Sequence, residues 1–301
     1  MRAHLDGIFS SEDGYLATLL EHISNPAGKM LRSALLLMCG RAVGPIDETH
    51  LLLGAAIEAV HSATLIHDDV LDEAELRRHA PSVNRLWGNE ASVLLGDFLF
   101  ATAFSLAAKA GHVPSMNMIA SAAATVCHGE LMQIDHRNDT AITEERYMEI
   151  VRKKTAALYS CACKMGAICA GANDNQAGAL ENYGRNLGVA FQIVDDCLDV
   201  TGDEAATGKS LGTDLTKGKF TLPMIWLMRK SKKAIEMLSD TDKLDEEAVR
   251  EVLCESGAVE YALGVAEKHA ENAKSFIPSG VPAEIAESLM LAADYVVSRN
   301  R

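Results

Sequence analysis

Between Pro114 and Pro223 the chain runs without a proline, and Ala, Leu, Met and Glu are plentiful throughout that stretch. Proline breaks a helix interior, and these four residue types are among the best helix formers, so the stretch is built for helices. Apolar residues recur at helical spacing over 15–24, 29–43, 48–72, 90–110, 115–135, 143–172, 176–200, 220–232, 246–254, 257–275 and 282–298, and no strand alternation competes with them. The breaks are short, from "NPAGK" and "GPIDE" to the polar "TGDEAATGKSLGTDLTKGK". None resembles an interdomain linker. The expectation is one all-helical domain over residues 1–301, with enough apolar content, 48%, to bury a substantial core.

A net charge of −14 argues against a nucleic-acid partner, which needs a broad basic face. The seven cysteines (Cys39, Cys127, Cys161, Cys163, Cys169, Cys197, Cys254) form no CxxC pair and lie mostly in apolar helical text, so they read as buried thiols of a reducing cytosol. The N-terminus lacks a secretory apolar core, and no run is expected to reach the roughly 18 uncharged residues of a membrane span. A cytoplasmic protein without a transmembrane segment is the expectation.

One motif occurs twice. "IHDDVLDEA" and "IVDDCLDVT" each place a DDxxD element at the end of a strongly apolar helix. Positions i and i+4 share a helix face, so Asp68 projects with Asp72, and Asp195 with Asp199, while Asp69 and Asp196 are turned by about 100°. Carboxylates held this close raise one another's pKa unless a cation sits among them. Mg²⁺, a hard cation shared between one or two carboxylates and substrate phosphates, is the simplest partner. A single DDxxD is most often a solvated helix end. Two copies, each behind a buried helix, predict a carboxylate-lined cavity mouth with apolar walls, a shape for polyphosphate above hydrocarbon. Lys29, Arg32, Arg77, Arg78, Lys209 and Lys219 lie beside apolar helix ends, where they could meet phosphate oxygens.

"GDEAATGKS" tempts toward a phosphate-binding loop, but five residues rather than four separate its first glycine from Gly-Lys-Ser, and a helix precedes it. His67-Asp68 invites a metal-dependent phosphohydrolase, yet the other histidines show no matching arrangement.

In order along the chain come "GKMLR", "HSATLIHDDVLDEAELRR", "GDFL", "GELMQ", "KKTAALYS", "FQIVDDCLD" and "GTDLTKGKFTLP". This series resembles the trans-type polyprenyl diphosphate synthases, all-helical enzymes that elongate isoprenoid chains. The resemblance implies a helical bundle of the isoprenoid synthase type with a central cavity. It implies that Asp68, Asp72, Asp195 and Asp199 ligate three Mg²⁺ ions on an allylic diphosphate. Lys29, Arg32, His61 and Arg78 match the isopentenyl diphosphate pocket, and Arg77, Lys154, Thr155, Gln192, Lys209 and Lys219 match contacts to the allylic diphosphate or the forming cation. Lys154, Thr155 and Gln192 are the residues expected to assist catalysis, and a homodimer is expected. Two positions depart from the family pattern: Ser33 stands where proline is common, and His79 where glycine is common.

Short-product members often carry a bulky aromatic one turn behind the first acids. Here Ala63 and Thr64 occupy that turn, with Ala59, Ala56 and Ala55 further back, which predicts a tunnel for products of C25 or longer. Close helix packing explains the alanines equally well. Phe98, Phe100 and Phe104 are candidates for the tunnel floor, with Phe104 the expected one. The rival readings are a terpene cyclase, which would have no use for an isopentenyl pocket, and a noncatalytic subunit, which commonly loses one acidic motif.

Overall fold

The structure, a computed structural model, describes residues 2–10, 13–24, 30–77, 79–202, 212–239 and 246–298. It is 81% helical. Along the chain the helices are α1 (Arg2–Ile8), α2 (Gly14–Ser24), α3 (Leu31–Val43), α4 (Glu48–Leu71), α5 (Val83–Lys109, kinked at Gly88), α6 (Val113–Asp135) and α7 (Glu144–Val151). A π-helical turn, Arg152–Ala156, leads into α8 (Ala157–Cys169). There follow α9 (Asp174–Thr201), α10 (Thr213–Thr216), α11 (Leu222–Lys230), α12 (Lys232–Ser239), α13 (Glu246–Glu255), α14 (Ala258–Ser275) and α15 (Ala283–Ser298). The one departure toward strand among the described residues is an antiparallel pair, β1 (Leu76–Arg77) with β2 (Ala80–Pro81).

The chain forms two compact units, one of residues 1–123, 161–181 and 278–286, the other of 124–160, 182–277 and 287–301. The first is organised by α4. Asp47 caps its start by accepting from the His50 backbone N–H while the His50 ring returns a bond to the Asp47 N–H, a reciprocal cap that contributes about 1 kcal/mol. Leu53, Ala55, Ala56, Ile57, Ala59, Val60 and Ala63 of α4 are all fully buried. Small residues on every side of the helix let α3 and α5 pack closely onto it. In the second unit α11 packs on α14, and the Tyr183 hydroxyl donates to the Leu289 carbonyl at 2.7 Å.

Two expectations need correction. Helices α4 and α5 are both long and apolar enough to cross a membrane, because the isolated acids Glu58 and Asp97 interrupt the uncharged runs without ending the helices. In α4, 61% of the apolar window is buried inside the protein; in α5 the share is 33%. Cys127 and Cys254 are exposed rather than buried, each lying on the outward face of its helix.

Candidate active site

Both acidic motifs end long helices, where the macrodipole is negative and further acids are unfavourable by roughly 0.3–1 kcal/mol each. In α4 no basic residue in the last turn offsets them. Such an arrangement is stabilised by an external cation.

At the end of α4, Asp68 and Asp72 are half-buried and on one face, as the spacing predicts, whereas Asp69 is only 3% exposed. Asp72 is the C-cap residue, its N–H donating to the Asp68 carbonyl. The chain then folds back through β1 and β2, pairing Arg77 with Ala80. This hairpin is pinned by Ser82, whose hydroxyl donates to the Ala74 carbonyl at 2.5 Å, and by Asn84, whose amide donates to the carbonyls of Asp69 and Ala74. The fold-back brings Arg77 onto Asp69. Its Nε donates to both carboxylate oxygens at 2.6 and 2.7 Å, and Nη2 lies 2.5 Å from Oδ1. Burial works against the Arg77 charge, but Asp69, with Asp68 and Asp72 behind it, raises its pKa above the ordinary value.

At the end of α9, Asp195 and Asp199 are likewise half-buried and Asp196 is 5% exposed. One Asp199 oxygen accepts from the Asp214 N–H at 3.2 Å. The Arg250 Nε donates to the Val200 carbonyl at 2.8 Å, satisfying one of the carbonyls that a helix end leaves open. Asp196 accepts from the Tyr147 hydroxyl at 2.5 Å and from the Gln192 amide at 2.7 Å. Burial, and after it the Asp214 carboxylate, push the Asp196 pKa well above the usual range, while the two donors work in the opposite direction.

Gln192 is also joined to Thr155, whose hydroxyl donates to Gln192 Oε1 at 2.6 Å. Thr155 and Lys154 sit on the π turn, a wider coil that redirects side chains relative to the flanking α-helices and recurs at functional sites. Two glycines admit its backbone. A Cβ at Gly129 would lie 2.4 Å from the Lys154 nitrogen, and one at Gly188 would lie 2.7 Å from the Ala156 Cα. Lys154 is ion-paired with Glu130 and donates to Gln133 Oε1 at 2.7 Å, so "GELMQ" supplies its setting.

The remaining expected residues divide as follows. Arg32 is half-buried in the first turn of α3, His61 lies on α4 about two turns before Asp68, and Lys219 is 5% exposed. Lys29, Arg78 and Lys209 lie outside the described residues. Ala63 is fully buried, so it has no open surface with which to line a channel, whereas Thr64 is half-buried with its hydroxyl on the His61 carbonyl. Phe104 is 38% exposed and stacks on Phe100 at 6.4 Å, and Phe98 is 37% exposed; Phe100 is the half-buried one, against His67.

The two departures have physical consequences. The Ser33 N–H, which proline would lack, donates to the buried Glu58 carboxylate at 2.9 Å. His79 takes a φ of 64°, the left-handed region that favours glycine. Sequence reasoning missed Tyr147, Glu130 and Gln133; the last two lie inside a quoted motif, and nothing local marks the first.

Known proteins resemble this chain over nearly its whole length. The polyprenyl synthetase family model matches residues 13–255. The chain is 38% identical to a short chain isoprenyl diphosphate synthase of Methanothermobacter thermautotrophicus, over 93% of this chain and 89% of that protein. It is 35% identical to the octaprenyl diphosphate synthase of Escherichia coli, over 93% and 88%. A polyprenyl synthase from Caulobacter crescentus, crystallised with calcium and isoprenyl diphosphate, superposes with a TM-score of 0.94 at 34% identity, covering 100% of this chain and 95% of that one. The chain belongs to the polyprenyl synthetase family, the all-helical trans-prenyltransferases that make isoprenyl diphosphates.

Proposed function

We propose that this chain, acting as one isoprenoid-synthase-like domain, condenses isopentenyl diphosphate with an allylic diphosphate in a Mg²⁺-dependent reaction and builds products of C25 or longer. The observation that carries the reading is the division of labour at both acidic helix ends: the inner aspartate is buried in protein contacts, and the outer pair is half-exposed. Among the described residues no three or more His, Cys, Asp or Glu side chains group into a metal cage. A Mg²⁺ ion takes one or two carboxylates and completes its shell with substrate phosphates and water. Asp68, Asp72, Asp195 and Asp199 are the ligands in this reading, for three ions. When bound, the metal neutralises charge on the leaving diphosphate.

The chain's own residues supply the rest. Lys29, Arg32, His61 and Arg78 hold isopentenyl diphosphate. Arg77, Lys209 and Lys219 hold the allylic diphosphate. Lys154 places positive charge on the departing group as the C1–O bond breaks. The oxygens of Thr155 and Gln192 face the allylic cation, a stabilisation by oriented dipoles that need not reorganise. The double bond of isopentenyl diphosphate then attacks C1, and the departing diphosphate takes the proton whose loss restores an alkene.

The long-product reading rests on Thr64 more than on Ala63, given their different burial, and on the lack of an aromatic residue in that turn. A homodimer is supported by the apolar stripe that α5 exposes, Leu86, Val93, Leu94, Phe98 and Phe104. The cytoplasm is supported by seven cysteines without a disulfide among the described residues.

Incubation with Mg²⁺, isopentenyl diphosphate and each C5 to C20 allylic primer tests the whole reading. Elongation to C25 or beyond is expected. Products ending at C20 would overturn the length, and cyclised hydrocarbon or no elongation would overturn the condensation.

A further inference from the structure

We infer that Tyr147, which no substrate contact requires, is a positioning residue that sets the orientation of the Gln192 amide and through it the Thr155 hydroxyl. The inference rests on the reading above that those two groups face the allylic cation.

A primary amide offers an oxygen on one side and an N–H₂ on the other, and rotation by half a turn exchanges them. A developing carbocation is stabilised by the first and repelled by the second. The choice therefore has to be imposed. Asp196 imposes it: one carboxylate oxygen takes the Gln192 N–H₂ at 2.7 Å, which leaves Gln192 Oε1 pointing toward Thr155. Thr155 in turn commits its single hydroxyl proton to Oε1 at 2.6 Å, so what Thr155 presents elsewhere is lone-pair density. The network needs an anchor, because a carboxylate free to rotate about its own bond would not hold the amide. Tyr147 supplies it from α7 by donating to the second oxygen at 2.5 Å.

The chain Tyr147–Asp196–Gln192–Thr155 thus crosses from α7 to α9 and back to the π turn, with Tyr147 5%, Asp196 5% and Thr155 7% exposed. Burial of Tyr147, Asp196 and Thr155 removes the water that would compete for their bonds, so the half-buried Gln192 amide is held between fixed partners. The Tyr147 ring is part of the core of α7 with Met148, Ile150 and Val151, and among the described residues its hydroxyl bonds to Asp196.

Tyr147→Phe removes only the hydroxyl. The expected result is a fall in kcat of about 10–100-fold, the scale of losing a partner that orients a reacting group. The KM for isopentenyl diphosphate should stay within about twofold, because that substrate is held by other residues. A purely structural role would not produce that split. The double variant Tyr147→Phe/Gln192→Ala should have the same kcat as Gln192→Ala alone, since the hydroxyl acts through the amide. An unchanged kcat in Tyr147→Phe, or a further independent loss in the double variant, would overturn the inference. If Tyr147→Phe does not fold, Asp196→Asn breaks the same link without opening a cavity, and full kcat in that variant overturns it equally. An inactive wild type with every primer sinks the condensation reading itself, and this inference with it; an active wild type with a normal Tyr147→Phe sinks this inference alone.

Discussion

The acidic ends of α4 and α9 share a five-residue pattern and an exposure pattern, but their inner aspartates hold different things. Asp69 holds a cation, the Arg77 guanidinium delivered by a short hairpin eight residues later. Asp196 holds two neutral donors, Tyr147 from another helix and Gln192 from its own. The first is an ion pair closed within one short stretch of chain, which in the proposed reading fixes a charge beside a phosphate. The second belongs to a network that in the same reading fixes a dipole beside carbon. The duplicated motif repeats the half-buried outer carboxylates and not the contacts made by the inner ones.

The sharpest way to break this contrast is to remove each inner acid in turn and follow unfolding in urea. Asp69→Ala leaves Arg77 without its two-oxygen partner, and a cost of about 2 kcal/mol is expected, discounted from a fully buried pair because Arg77 is partly solvated and still feels Asp68 and Asp72. Asp196→Asn should cost less, about 1 kcal/mol. It removes a charge that burial and the Asp214 carboxylate disfavour, but it turns an N–H₂ toward one of the two donors, the Tyr147 hydroxyl and the Gln192 amide, that the carboxylate oxygens accept from. Equal losses in both would mean that the two inner acids do the same job. The hairpin beside the first motif gives a smaller test: His79→Gly relieves a φ of 64° and should raise stability by ~1 kcal/mol or less, leaving turnover unchanged. A loss of stability would show that the His79 side chain holds the hairpin.

How much of this was legible in the sequence depended on whether the signal was local. The helices were, because 3.6-residue periodicity is written within each segment, and so was the sharing of a face by Asp68 with Asp72. The π turn was not: over five residues its period cannot be told from that of an α-helix, and 143–172 reads as one element. The first turns of α5 were hidden by Gly88, whose φ of 84° kinks the helix. Helices α1 and α12, at seven and eight residues, were too short for periodicity to register. At the site, Lys154, Thr155 and Gln192 could be named by resemblance, but their partners could not. Tyr147 meets Asp196 across 49 residues, and no pattern in "EERYMEIV" distinguishes its hydroxyl from that of any amphipathic tyrosine. Ala63 and Thr64 are neighbours in sequence with different burial, a distinction set by what packs against α4.

The central claim is that outer aspartates meet the metal and inner ones do not. The most direct measurement is the Mg²⁺ dependence of turnover in Asp68→Asn, Asp195→Asn and Asp196→Asn. The account predicts that the first two need much more Mg²⁺ for half-maximal rate, or lose turnover altogether, while Asp196→Asn has a reduced kcat at the wild-type Mg²⁺ requirement. An Asp196→Asn enzyme whose Mg²⁺ requirement rises as far as that of Asp195→Asn would contradict it.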